Sequence, residues 1–329
     1  MKETKENKGQ ENGISLDTSV RKDKIKVATI NEKRHGKLKV GDIIFYTCNA
    51  IIMIAVCVIT LYPVLNTLAI SFNDGVDAVR GGVHLIPRMF TWTNYTTVLG
   101  KKDIMQGALI SVLRTVIGTL LALAANALLA FIVAQRKFVF RSQLALFWVI
   151  TMYVNGGMIP TLLLYQKLHL TGTFWVYVIP AMISGFNMLV MRTYMEGLPD
   201  SLQEAAEIDG AGFFTIFLKV ISPLCKPVYA TVALFVAVGQ WNSWFDTMLY
   251  NRFATQYTTL QYELMKLLSS VTSLKGSTGA NTTPGSGVNI TPISVRSAAT
   301  ILTMAPIVML YPFLQRYFVT GLTIGGVKE

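Results

Sequence analysis

The charged residues of this 329-residue chain are spaced so that six long stretches carry none, and that spacing limits what the chain can fold into. The stretches are residues 43–73, 115–135, 142–166, 168–191, 227–245 and 297–315, all rich in Leu, Ile, Val, Ala, Phe and Met. A helix crosses the hydrocarbon of a bilayer in about 20 predominantly apolar residues, so each stretch can serve as a membrane span. Allowing for flanks, helices are expected near 43–72, 107–134, 143–165, 173–194, 226–250 and 297–319. A seventh uncharged stretch, 276–295, is dominated by Gly, Ser, Thr, Asn and Pro and reads as an exposed loop. Only 14% of residues are charged and 52% are hydrophobic, where a soluble domain carries about 25% charged residues. The expected fold class is therefore all-α integral membrane with six transmembrane helices, which excludes a soluble enzyme and a disordered chain.

Basic residues set the orientation. Eleven Lys and Arg lie in residues 1–42, and Arg136, Lys137 and Arg141 occupy the short second connection without an acidic residue. Placing both on the cytoplasmic side puts 19 of the 29 basic residues there, so the N- and C-termini are expected in the cytoplasm. The surplus of 29 basic over 18 acidic residues then needs no nucleic-acid partner. Residues 1–40 read as a disordered basic segment and 41–329 as the transmembrane domain. No signal peptide is readable, so the first span acts as its own insertion signal. Cys48, Cys57 and Cys225 form no CxxC pair and no even set, and they read as small apolar residues. Arg114 falls about two turns into the second span, where the preferred reading is a side chain that snorkels to the headgroups.

The connection between spans four and five, about 197–226, is more patterned than the others. Ser201 and Glu204 have the spacing of a capping box, with Pro199 and Asp200 just before them. A short helix should run to Asp209 and stop at Gly210; Phe213 then opens a second apolar segment that ends by Pro223. Ala205 and Ala206 give a surface that another protein can approach closely. On the residues alone, a re-entrant hairpin that merely links two spans is an equal alternative.

Glu204-Ala205-Ala206, three residues and then Gly210 resemble the EAA loop of ABC importer permeases. Asp209-Gly210-Ala211 and Pro223 continue the likeness, although Ser222 stands where that family has leucine before the proline. Trp241-Asn242-Ser243-Trp244, Asn155-Gly156-Gly157-Met158-Ile159-Pro160 and Tyr311-Pro312-Phe313 are similar to carbohydrate-uptake permeases of the maltose type, in the branch for complex oligosaccharides or polysaccharides. The likeness extends from about residue 40 to the end. It implies the ABC type I importer permease fold in a bacterial plasma membrane, and docking of the EAA loop into a cleft of a cytoplasmic ATPase. It also implies a homologous second permease completing a heterodimer, two ATPase subunits and an extracellular sugar-binding protein as partners, with an oligosaccharide as cargo. The extracellular loop, about 251–296, would contact that binding protein; a plain solvated insertion is the equal alternative. The chain has no GxxxxGK[ST] loop, so ATP and Mg are expected on the partner ATPase, with no cofactor, metal or catalytic residue here.

Sugars are recognised by aromatic faces and hydrogen-bonding groups. Tyr153, Asn155, Asn187, Gln240, Trp241, Asn242 and Trp244 are therefore candidates for the substrate path, with Asn187 and Gln240 favoured by depth. Each has a competing reading as a helix-bridging amide or an interfacial anchor. A membrane enzyme would need a metal set or nucleophile, yet the histidines are only His35, His84 and His169 and there is no HExxH. A secondary transporter would place ion-coupling acids in its spans, and only Asp246 lies in one. An ABC permease for a non-sugar solute remains the alternative, because an EAA loop reports the ATPase and not the cargo.

Overall fold

The computed structural model describes residues 40–274 and 290–324. The expected basic segment thus lies outside the described residues except for Val40, as does most of the 276–295 tract. Two compact units are distinguished, Met1–Pro63 and Val64–Glu329. The described part of the first is the N-terminal portion of helix α1 (Val40–Ser71), a continuous apolar helix with Pro63 inside it.

The second unit carries the rest. After α1 come two short helices, α2 (Gly75–Arg80) and α3 (Thr93–Leu99), and then the 33-residue α4 (Lys102–Ala134). Next are α5 (Arg141–Tyr153), α6 (Met158–Lys167), a 3-10 turn over Phe174–Tyr177, and α7 (Gly185–Glu196). The series continues with α8 (Asp200–Ile208), α9 (Phe213–Leu224, with a π-helical turn over Phe217–Ile221) and α10 (Lys226–Asn242). It closes with α11 (Phe245–Tyr250), α12 (Leu260–Leu274) and α13 (Pro292–Ile324). Among the described residues there is no strand, only an isolated bridge between Asn73 and Phe90.

Three helices, α1, α4 and α13, are long and apolar enough to cross a membrane unbroken. Two bent pairs bring the number to at most five: α5 with α6, turned by 116°, and α9 with α10, turned by 82°. The third expected span, 143–165, therefore breaks where Gly157 adopts φ +86° and Pro160 enters the first turn of α6, a position that needs no N–H. The fourth, 173–194, is not a single helix: the 3-10 turn and an irregular stretch containing Pro180 precede the 12-residue α7.

Irregular backbone in the interior of a membrane protein persists only where other groups satisfy it. Asn126, fully buried in α4, does this for the fourth segment. Its Nδ2 donates to the Met182 carbonyl at 3.0 Å and its Oδ1 accepts the Ser184 N–H at 3.0 Å. Gln240 Nε2 donates to the Tyr177 carbonyl at 3.2 Å. Asn126→Leu leaves the Met182 and Ser184 backbone groups unpaired; a loss of about 2 kcal/mol is expected in denaturant titration of the purified complex. An unchanged midpoint would show that the break does not depend on Asn126.

Small residues on the buried face of α4, among them Gly107, Gly118, Ala122 and Ala130, allow α7, α10 and α12 to pack closely against it. One core cluster joins α4, α7, α9 and α10 through Phe131, Met188, Met191, Ile216, Phe217 and Cys225. A second, at the opposite end of α4, joins α3, α12 and α13 through Tyr95, Val98, Leu260, Leu264 and Ala298. The helical spacing of Leu260, Leu264, Leu267 and Leu268 thus marks a real helix, with Leu260 and Leu264 buried in that core. Asn94, in a glycosylation-like Asn-Tyr-Thr sequence, is 1% exposed and donates to the Ser71 and Asn73 carbonyls at 2.9 and 2.8 Å, so it packs as structure.

Candidate functional site

A cavity of about 390 Å³ lies about a third of the way along α4, between the fourth segment and α10. Its wall combines aromatic faces from Tyr165, Tyr177, Phe235 and Tyr250 with the polar groups of Asn187, Gln240, Arg114 and Asp246. Arg114 dominates its electrostatics. The side chain is 2% exposed, and α4 begins at Lys102, so Arg114 sits roughly 18 Å along the helix. Snorkelling to the headgroups is thereby ruled out in favour of internal pairing. Arg114 Nε and Nη2 donate to Gln240 Oε1 at 3.0 and 2.9 Å, and Nη1 and Nη2 donate to the two carboxylate oxygens of Asp246. Nη1 also reaches the Ser243 carbonyl at 3.4 Å, and the guanidinium lies 4.4 Å from the centroid of the Tyr177 ring. The arrangement ties α4 to the break between α10 and α11. Gly118 makes room for it, because a Cβ there would meet the Gln240 amide at 3.0 Å.

Of the seven substrate-path candidates, Asn187 and Gln240 line this cavity together. Trp241 is buried in the other core and donates from Nε1 to the Thr303 carbonyl at 2.9 Å. Asn242 is exposed and accepts from Gln261 at 3.2 Å, while the Trp244 ring stands edge-on to Phe245. Tyr153 and Asn155 sit at the α5–α6 break, where Asn155 Oδ1 accepts the Gly157 N–H at 2.9 Å. None of these five lines the cavity. Tyr177 and Asp246 are not among the sequence candidates for the substrate path; the signal in the sequence that points here is the charge of Arg114 inside an apolar run. Among the described residues, no group of three or more His, Cys, Asp and Glu side chains could hold a metal ion.

The second functional feature is α8, at the end of α4 remote from α3. The helix starts at Asp200, so Ser201 lies inside its first turn and the expected capping box does not form; Pro199 is the cap, without a side-chain bond. Its end follows the expectation. Asp209 caps it, Gly210 adopts φ +79°, the Gly210 N–H donates to Glu207 and the Ala211 N–H to Ala206. This closure needs a left-handed residue after the cap, which glycine supplies without strain. Glu204, Ala205, Asp209, Gly210 and Pro223 are exposed, whereas Ala206 and Ala211 pack on the core. Ile208, Phe213 and Phe214 add exposed apolar surface, with Ile208 86% exposed. Three contacts hold α8 to the turn after α4: Arg136 with Asp200, Lys137 with Glu207, and Gln203 with Gln135.

The hydrogen bond from Lys137, with a second from Gln203, holds the Glu207 carboxyl below its ordinary pKa of 4.5. A depressed carboxylate stabilises the fold fully above the unfolded value and loses that contribution as pH falls through the folded one. The α8 tether is thus expected to be constant from pH 7 to 5 and to weaken only below about 4.5. Hydrogen exchange of residues 200–209, corrected for intrinsic rates, should show that acid step, and Glu207→Gln should remove it. A step between pH 6 and 7 would assign the tether to another group.

Comparison with known proteins decides the family. Residues 126–324 match the family described as the binding-protein-dependent transport system inner membrane component. The chain belongs to that family. It is 32% identical over 286 residues to protein LplC of Bacillus subtilis, covering 87% of this chain and 95% of that protein. It is equally 32% identical to the polygalacturonan/rhamnogalacturonan transport system permease protein YtcP of the same organism, over 82% of this chain and 93% of the relative. Among solved structures it is similar to a bacterial ABC transporter involved in the import of the acidic polysaccharide alginate, with a TM-score of 0.78 at 27% identity. That match covers 86% of this chain and 99% of the other. As a family member, the chain is a membrane-embedded permease subunit with the ABC type I importer fold, and it is not an enzyme. Its partners in the importer include an ATPase, carried on a separate subunit, and a substrate-binding protein.

Proposed function

We propose that this permease moves oligosaccharides across the bacterial plasma membrane by alternating access, as one half of a heterodimer with a homologous second permease. The observation that carries the cargo is the central cavity, where four aromatic rings and two amide side chains face one space without a surplus charge, since Arg114 and Asp246 offset each other. Aromatic faces cover the apolar faces of sugar rings, and amides exchange hydrogen bonds with hydroxyl groups. Asn187 and Gln240 are the cargo contacts in this reading, with Tyr165 and Tyr250 as stacking surfaces. The alternating-access reading assigns six spans, three of them broken, with both termini cytoplasmic; the transmembrane domain covers residues 41–329 and the basic segment 1–40 precedes it. ATP and Mg bind to two partner ATPase subunits and no cofactor binds here. The segment 197–226 is the coupling loop, and the loop 251–296 faces the binding protein.

In the coupling loop, Glu204 makes a charge-assisted contact with a basic group of the ATPase, Ala205 and Ala206 permit close approach, and Asp209-Gly210-Ala211 forms the turn. Pro223 closes the segment before α10. ATP-driven closure of the ATPase pair then pulls on α8, and the α4 turn that α8 is tied to passes the movement to the bundle. The test is uptake of labelled glycans into proteoliposomes holding the complete importer and its binding protein. ATP-dependent accumulation of an oligosaccharide is expected. Accumulation of an amino acid, peptide or ion with no glycan moved would overturn the cargo while leaving the importer reading in place.

A further inference from the structure

A second cavity, of about 480 Å³, lies at the α8 end and shares no lining residue with the central one. It is bounded by the end of α4, the start of α5, the end of α7 and the start of α8, and three guanidinium groups line it: Arg136, Arg141 and Arg192. Arg136 meets Asp200 through Nη2 at 2.6 Å, and Arg192 meets Glu196 through Nε at 2.9 Å. The Arg141 guanidinium, half-buried, has no hydrogen bond or ion pair among the described residues. Each guanidinium has five N–H donors, so the two carboxylates engage only a fraction of what the three present. Two acids against three arginines leave one positive charge in the cavity. The rest of the wall mixes the amides of Gln135 and Gln203 with apolar side chains, among them Phe131, Met195, Leu198 and Ile221.

Forked N–H donors from several arginines match the oxygens of a phosphate, which they bind in bidentate fashion more strongly than a neutral acceptor. The apolar side chains among them leave room for a phosphate that carries a glycerol, and Gln135 and Gln203 offer further hydrogen-bonding groups to its polar part. We propose that this cavity binds one phosphate group, supplied by an anionic phospholipid of the inner leaflet or by a free phosphate compound. The inner-leaflet source rests on the proposed orientation, which places the turn after α4 at the cytoplasmic surface; basic pockets between helices on that side hold anionic headgroups. Because Asp200 opens α8, a phosphate that draws on Arg136 competes with the tether of the coupling helix. Occupancy of the cavity is thereby linked to how firmly α8 is held.

The test uses the complete importer in nanodiscs of phosphatidylcholine with or without phosphatidylglycerol, and native mass spectrometry of the lipids it retains. The wild type should retain phosphatidylglycerol in preference to phosphatidylcholine. Arg141→Gln should weaken that retention about tenfold, the effect of losing one charge-assisted contact of roughly 1.4 kcal/mol. Lys167→Gln, an exposed charge at the far end of α6, should leave it unchanged. Arg141→Lys keeps the charge without the fork and should weaken retention less, which keeps the test open if the glutamine variant fails to assemble. Inorganic phosphate is titrated in phosphatidylcholine discs as the second arm: Arg141-dependent binding there, without lipid preference, identifies a free phosphate as the source. No preference between the lipids and no phosphate binding would overturn the site, as would retention unaffected by both Arg141 variants. Glycan-stimulated ATPase activity in the same discs reports the cargo reading separately. Labelling of Ser142→Cys by an impermeant thiol reagent from outside intact cells would overturn the orientation and with it the inner-leaflet source.

Discussion

Arg114→Ala is expected to destabilise the assembled permease by about 3 kcal/mol, the low end for breaking a buried ion pair, because Asp246 is about one-fifth exposed. The cost arises from what stays behind. Without the guanidinium, the Asp246 carboxylate keeps, among the described residues, the Thr247 N–H at 2.8 Å, and the Gln240 Oε1 loses both of its arginine donors. The cavity would also gain a net negative charge beside Asn187 and Gln240. Arg114→Lys keeps a charge but lacks the fork that reaches four acceptor atoms, so an intermediate loss is expected. The double variant Arg114→Ala with Asp246→Ala should cost less than the sum of the single ones, by about 2 kcal/mol of coupling. Denaturant titration of the four complexes measures this. Strict additivity would mean that the two side chains act independently and that the α4–α11 clamp is not a unit.

Glu204→Ala is expected to leave the complex in the membrane while lowering ATP-driven transport at least tenfold. An exposed glutamate contributes nothing to packing, so its removal should not disturb the bundle. Its worth lies in the contact with the ATPase, where a hydrogen bond between charged groups contributes about 1.5–3 kcal/mol, or roughly ten- to a hundredfold in an equilibrium. Gly210→Val reaches the same end by another route. Nothing lies within 4 Å of a Cβ at Gly210, so the obstacle is the φ of +79°, which costs an ordinary L-residue about 1–2 kcal/mol and a β-branched one more. The turn then opens, and Glu204 and Ala205 lose the orientation that the packing of α8 on α9 gives the helix. Uptake into vesicles and co-purification of the ATPase separate the cases: loss of transport with the ATPase still attached indicates failed coupling, and loss of both indicates failed docking. Full transport by both variants would remove the coupling role from α8.

Why some of this was legible in the sequence and some was not follows from the range of the interactions. The stop of α8 at Gly210 is written locally, in one residue that tolerates a left-handed backbone. The start differs because a Ser-x-x-Glu spacing does not fix which residue is the cap; Pro199 preorganises the entry, so the helix begins two residues earlier than a Ser201 cap implies, at Asp200. Charge spacing located α1, α4 and α13, but it is blind to breaks made by uncharged residues. Gly157 with Pro160 divides the third span, and Pro180 lies in the irregular part of the fourth. Asn126 was the available sign of that irregularity, a buried amide in an otherwise apolar helix. The Arg114 clamp was half visible: the charge stood out, but Asp246 lies 132 residues away and only the packing of α4 on α10 brings them together. Trp241, Asn242 and Trp244 carried aromatic and amide chemistry without lining the cavity, since composition does not reveal which way a helix faces.

Coupling of ATP hydrolysis to movement of an oligosaccharide is the activity expected of this permease. It is tested most directly by the ATPase activity of the complete complex as binding proteins loaded with different oligosaccharides are added, with Glu204→Ala as the control. Stimulation by one glycan-loaded binding protein, lost in the variant, is predicted. An assembled complex that responds to no glycan but to a peptide or ion, or one stimulated equally with Glu204→Ala, would contradict it.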